Sequence, residues 1–173
     1  MCGIIGYVGK REAAPLLLEG LKRLEYRGYD SAGICVADGE NKLAHKKNAG
    51  RVDELVALMD GAMPKGNWGI AHTRWATHGV PNTTNAHPHA DCHENIFVVH
   101  NGIIENYRDI KEKLIKEGHI FISDTDTEVL SHLIEKFFKK NLEEAVIKAL
   151  KLMRGAYGIA VVAAQDPGKI VAV

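Results

Sequence analysis

Apolar residues along this chain follow two different periods, and the switches between them mark out its elements. Gly3 to Val8 is a short, mostly apolar run and predicts a buried strand. From Glu12 to Tyr26, Ala13, Leu16, Leu17, Leu21 and Leu24 fall at helical spacing and form one stripe. Ser31 to Ala37 predicts a second strand, Asp38-Gly39-Glu40-Asn41 a turn, and Lys42 to Lys47 its hairpin partner. Val52 to Met59 predicts a short helix closed by Asp60-Gly61, and Trp68 to Thr73 a further strand. A polar loop rich in His, Asn, Thr and Pro then runs from Arg74 to Glu94, before a strand from Asn95 to His100.

The second half is dominated by helical periods. Glu105 to Glu117, Thr127 to Phe138 and Leu142 to Met153 predict three helices. Gly118 stops the first, and Asp124, Thr125 and Asp126 offer N-cap oxygens to the second. Tyr157 to Ala163 predicts a strand, Gln165-Asp166-Pro167-Gly168 a turn, and Lys169 to Val173 the start of another strand. Regular βαβ alternation is missing, so the expectation is mainly antiparallel sheets covered by helices, an α+β architecture in one domain. Ile170-Val171-Ala172-Val173 stops inside an apolar strand, an edge that invites pairing. On that pattern the chain is expected to be cut from something longer.

Composition narrows the class without changing the fold. A length of 173 residues, 46% hydrophobic and 25% charged, suits one soluble domain with a sizeable core. Lys plus Arg and Asp plus Glu are equal at 22 each, so no general attraction to nucleic acid or anionic lipid is expected. There is neither a bilayer-length apolar run nor a secretion signal, which leads to the expectation of a cytoplasmic protein. Three widely spaced cysteines, Cys2, Cys35 and Cys92, do not form a disulfide framework. Cys35 lies in an apolar run and reads as a small buried hydrophobe.

Cys2 carries the sharpest chemical signal. Removal of Met1 places a thiol and a free α-amine on one residue, a nucleophile with its own base. Several polar strings could complete a site around it, and each also has a plain structural reading. Arg27-Gly28 is either a helix stop, with Gly28 at the C′ position, or a guanidinium aimed at the nucleophile. In His72-Thr73-Arg74-Trp75-Ala76-Thr77-His78-Gly79, Arg74 offers a planar fork for a carboxylate, Thr77 and His78 add polar groups, and Trp75 could form a lid; otherwise this is a surface loop. Asn101-Gly102 is either a tight turn or a pair of N–H donors for an oxyanion. Asp124-Thr125-Asp126-Thr127 either caps a helix or places a carboxylate against an ammonium group. The cluster His87-Pro88-His89-Ala90-Asp91-Cys92-His93 raises the question of a metal, but its spacing matches neither C-x-x-C pairs nor H-E-x-x-H.

Taken in order, Met1-Cys2-Gly3-Ile4-Ile5-Gly6-Tyr7, the segment from Arg23 to Ile34, the string from His72 to Gly79, Asn85-Ala86-His87-Pro88-His89, His100-Asn101-Gly102 and Thr125-Asp126-Thr127-Glu128 resemble one family closely. It is that of the class II, N-terminal-nucleophile glutamine amidotransferases, in the branch of the glutamine–fructose-6-phosphate aminotransferases. The resemblance covers essentially the whole chain. It implies a four-layer αββα sandwich of two antiparallel sheets, with residues 1–173 as a single type 2 amidotransferase domain. It also implies further strands and a sugar isomerase half beyond Val173.

By position, the resemblance makes Cys2 the nucleophile and Asn101 and Gly102 the oxyanion hole. Arg74, helped by Thr77 and His78, matches the partner of the glutamine α-carboxylate, and Asp126 that of the α-ammonium. Trp75 belongs to a closing loop, Arg27 and Gly28 to the support beside the nucleophile, and His87 to the surroundings of the site. The implied partners are L-glutamine and, in the full-length enzyme, fructose 6-phosphate, with oligomerisation through the isomerase half; no metal or organic cofactor is implied. The readings left beside it are another class II amidotransferase with a different acceptor, a glutamine-binding module without turnover if Met1 is retained, and a zinc-binding role.

Overall fold

In the computed structural model, residues 2–37, 42–76 and 79–173 are described. The expected turn at 38–41 and the candidate residues Thr77 and His78 lie outside them. Strand β1 (Gly3–Val8) leads into helix α1 (Ala13–Leu24) and a 3-10 turn at Glu25–Arg27, followed by β2 (Ser31–Ala37) and β3 (Leu43–Ala49). Helix α2 (Val52–Leu58) precedes β4 (Trp68–Arg74), the two-residue β5 (His89–Ala90) and β6 (Ile96–Ile104). Helices α3 (Tyr107–Lys116), α4 (Glu128–Phe137) and α5 (Leu142–Leu150) come next, then β7 (Gly155–Ala163) and β8 (Val171–Ala172).

The strands form two four-stranded sheets, ordered β1-β4-β2-β3 and β5-β6-β7-β8. All the pairings described are antiparallel. Period-two alternation explains the stacking. Ile34 and Val36 of β2 face α1 and α2, where they meet Leu17, Leu21 and Leu55. Cys35 and Ala37, on the opposite face, join Trp68, Ile70, Phe97, Val99, Ala160 and Val162 in a layer between the sheets. Val98 and Val161 face the other way, onto Leu130, Ile134 and Val146 of α4 and α5. Strands β2 and β6 are therefore apolar on both faces because both faces are covered. Three hydrophobic layers between four structural ones give the expected αββα sandwich. Burying each large side chain in these layers contributes about 1.5–3 kcal/mol.

Three local expectations are corrected. Asn101-Gly102 is not a tight turn: β6 runs through both residues to Ile104, with Asn101 opposite Gly158 and Gly102 opposite Tyr157 on β7. The α4 start is not capped by the acidic string. Its N-cap, Thr127, makes no side-chain cap bond. The Glu128 carboxylate instead accepts from the Ile122 and Ser123 amides at 2.8 and 2.7 Å, folding the preceding loop back onto the helix. The polar loop from Arg74 to Glu94 is not a plain surface loop either. Arg74 ends β4, residues Asn85 to His89 are buried, and β5 pairs with β6.

That burial has an identifiable cause. Gly33 has no Cβ, and one built there would collide with the carbonyl oxygen of His87, so the loop can lie directly on β2. Lys47, on β3, donates to the Thr84, Ala86 and Pro88 carbonyls at 3.1, 2.9 and 3.4 Å. Burial lowers its pKa to about 8. Among the described residues, no helix is long and apolar enough to cross a membrane.

Candidate active site

Cys2 directly precedes β1, whose Gly3 pairs with Thr73, so the thiol lies beside the end of β4. The Trp75 amide donates to Cys2 Sγ at 3.1 Å, and the thiol faces the Trp75 carbonyl at 3.5 Å. From the other sheet, Asn101 Nδ2 donates to the Cys2 carbonyl at 3.2 Å. Its amide is oriented by His72, whose Nε2 lies 2.8 Å from Asn101 Oδ1. Since Oδ1 can only accept, this nitrogen of His72 carries the proton. Burial lowers the His72 pKa to about 3, which keeps the ring neutral.

Gly102 follows with φ +126°, and a Cβ there would collide with the Ala156 carbonyl oxygen. Only glycine brings the backbone this close to β7 at that angle. Gly28 works differently. Its backbone is extended, not left-handed, so it is not the C′ stop the sequence allowed. A Cβ at Gly28 would lie 2.8 Å from the Arg74 carbonyl carbon and 2.9 Å from the Trp75 nitrogen, so the missing side chain lets the turn after α1 pack against the end of β4.

Arg74 is buried at the end of β4, with Nη2 3.4 Å from the Gly79 carbonyl. Burial lowers its pKa, while the neighbouring Cys2, Asp126 and Asp30 oppose the shift. Asp126 is also buried and accepts from the Ile104 amide at 2.8 Å, which ties its loop to the end of β6. Cys2, Arg27, Arg74, Trp75, His87, Asn101, Gly102 and Asp126 line one cavity of about 570 Å³. This volume suits a small molecule. The fold thus brings together every described candidate except Gly28, which packs behind Arg74. Trp75 is 46% exposed at the rim, with its ring edge-on to Tyr29 at 5.7 Å.

His72, His100, Thr127, Ile103, Ala156 and Tyr157 drew no role from the sequence, although the first three stand in the strings quoted above. All but His72 line the cavity. His72 had a legible signal, as the first polar residue after the apolar start of its strand. The His100 ring lies 2.8 Å from Thr127 Oγ1, and its backbone amide donates to His87 Nδ1 at 3.2 Å. His87 in turn stacks on His72 at 4.3 Å between ring centroids. Tyr157 and Ala156 arrive from β7, far along the chain, with no local signal.

A thiol, an oriented amide donor and a buried pair of opposite charges in one cavity can hold a zwitterion and attack an acyl group at its far end. Residues 72–173 match the family described as the glutamine amidotransferase domain. The chain belongs to this family. As an amidotransferase domain it is 56% identical over 172 residues to the glutamine–fructose-6-phosphate aminotransferase (isomerizing) of Thermococcus kodakarensis, covering 98% of this chain and 28% of that protein. Its identity to the enzyme of the same name from Chlorobaculum tepidum is 55% over 176 residues, covering 99% and 29%. The domain therefore spans less than a third of these relatives. Among solved structures, the glutamine phosphoribosylpyrophosphate amidotransferase of B. subtilis superposes with a TM-score of 0.80 at 30% identity, over 93% of this chain and 35% of that one. The shared architecture is that of the N-terminal-nucleophile amidotransferases.

Proposed function

We propose that this domain hydrolyses L-glutamine to glutamate and ammonia through a thioester on Cys2. The observation that carries the reading is the convergence of Cys2, Asn101, Arg74 and Asp126 on one cavity. Glutamine is a zwitterion with a neutral amide tail. Arg74, with Thr77 and His78, holds the α-carboxylate, and Asp126 holds the α-ammonium. That grip sets the amide carbon at the reach of the Cys2 sulfur.

With Met1 removed, the α-amine of Cys2 takes the thiol proton, being a base near pH 7.7–8.0. The thiolate adds to the amide carbon, and the new oxyanion is met by the Asn101 Nδ2–H and Gly102 N–H groups. The ammonium proton then passes to the departing nitrogen, which leaves as ammonia. Water, deprotonated by the same amine, opens the thioester and frees glutamate. Trp75 closes the rim, and Arg27, Gly28 and His87 brace the groups around the sulfur.

In the full-length enzyme, ammonia converts fructose 6-phosphate to glucosamine 6-phosphate on segments beyond this chain, which also supply the subunit contacts. The names of the relatives near 55% identity support this acceptor over phosphoribosylpyrophosphate, whose enzyme stands at 30%. Free thiols at Cys2, Cys35 and Cys92 agree with a cytoplasmic setting.

The test is Cys2→Ala, with intact-mass analysis of the N-terminus on each sample. Ammonia release from glutamine should vanish while the circular dichroism of the fold is kept, and protein retaining Met1 should be equally silent. Unchanged release from Cys2→Ala would end the proposal.

A further inference from the structure

Away from the cavity, four side chains that the amidotransferase chemistry does not use converge on one point. Cys92 comes from the turn after β5, His119 from the link after α3, and His132 and Glu135 from one face of α4. One ligating atom from each lies within 4.8 Å of the other three. Cys92 Sγ is 3.7 Å from His119 Nδ1 and 3.5 Å from His132 Nδ1. Glu135 Oε2 is 2.9 Å from His119 Nδ1 and 3.3 Å from His132 Nδ1. Two donors held tetrahedrally at zinc–sulfur and zinc–nitrogen lengths of about 2.3 and 2.05 Å sit about 3.5 Å apart. The four contacts bracket the edges of such a tetrahedron.

Hydrogen bonding alone serves these groups poorly. Two imidazole nitrogens and the Cys92 amide, at 3.4 Å, all aim at the same carboxylate oxygen. The thiol sits against both rings. A dication resolves the crowding, since a thiolate and a carboxylate cancel its charge and two neutral imidazoles complete the shell. The far ring nitrogen of His132 is buried without a hydrogen-bond partner, and the nearest carboxylate oxygen paired with it, Glu128 Oε1, lies 3.7 Å away.

We infer that Cys92, His119, His132 and Glu135 form a structural zinc site, closed by four protein ligands. The reaction at Cys2 has no use for it. Binding releases the Cys92 thiol proton to solvent and involves no electron transfer. The ion ties the β5–β6 turn, the α3–α4 link and α4 together. Glu128 lies one turn before His132 on α4 and holds Ser123, so an ion that fixes α4 also braces the loop that leads to Asp126. The sequence hid this set because the partners of Cys92 lie 27 to 43 positions further on, while the adjacent His93 faces the other Glu135 oxygen at 3.8 Å.

The experiment uses the whole chain, stripped with chelator and titrated with cobalt(II), then zinc. One equivalent of cobalt should give the strong visible bands of four-coordinate geometry and a near-ultraviolet thiolate charge-transfer band, both erased by one equivalent of zinc. Zinc should also raise the melting temperature. Cys92→Ala, a change at an exposed position, should remove the charge-transfer band and weaken binding. His119→Ala should weaken binding comparably, and Cys2→Ala should leave the spectrum intact. The inference is overturned by a weak six-coordinate spectrum, by wild-type binding no tighter than that of Cys92→Ala, or by a band that disappears with Cys2.

Discussion

His72 and Asn101 show how one buried side chain sets the direction of another. An asparagine within a strand could present either its oxygen or its nitrogen to Cys2. The 2.8 Å contact from His72 Nε2 engages the oxygen and leaves Nδ2 facing the nucleophile. An oxyanion donor acts only on the transition state, so Asn101→Ala should lower kcat about a hundred- to a thousand-fold with a much smaller change in KM. Steady-state ammonia release separates the two, and a loss confined to KM would contradict the assignment. Asn101 was legible as a candidate because Asn-Gly is a distinctive pair. His72 as its partner was not, because the contact crosses from one sheet to the other.

Among elements, the segment from Asn85 to His89 departs furthest from its sequence pattern. Its composition is that of an exposed loop, yet it lies buried across β2, in the space left by Gly33 and under three carbonyl contacts from Lys47. Lys47→Met keeps most of the volume and removes those donors. The unmet carbonyls should cost about 1–3 kcal/mol in urea denaturation, and amide exchange at residues 85–89 should quicken. Equal stability and exchange would show that the carbonyls find other partners. Helix α1 is the opposite case. Its apolar stripe was plain from spacing: Ala13, Leu17 and Leu21 are buried, while Leu16 and Leu24 are half-buried at its margins and Ala14 and Leu18 widen the buried face.

For the whole molecule, the sandwich encloses a group of histidines kept neutral by burial. The His72 pKa falls from 6.5 to about 3, with His100 and Arg74 beside it and His87 stacked on it. His87 and His89 are also lowered by burial. Below pH 6.5 the unfolded chain takes up a proton at His72 that the folded protein refuses. Stability should therefore be fully present above that value and drain away as pH falls toward 3, by about 1.4 kcal/mol per pH unit for each such histidine. Urea denaturation across this range checks it. His72→Gln, which keeps an amide donor toward Asn101, should flatten the slope by one proton; an unchanged slope would exclude His72 as a source.

Taken alone, the sequence determined the element types, the antiparallel α+β architecture and most of the residues that line the cavity. These follow from periodicity, turn chemistry and distinctive short strings, all of which act over a few residues. Only the tertiary structure decided that Asn101-Gly102 lies within a strand, that Asp126 bonds the Ile104 amide and does not cap a helix, and that Cys92 joins His119, His132 and Glu135. Each of these contacts joins residues brought near by the stacking of two sheets. What a polar side chain does in the interior depends on which partner that stacking leaves within about 3 Å.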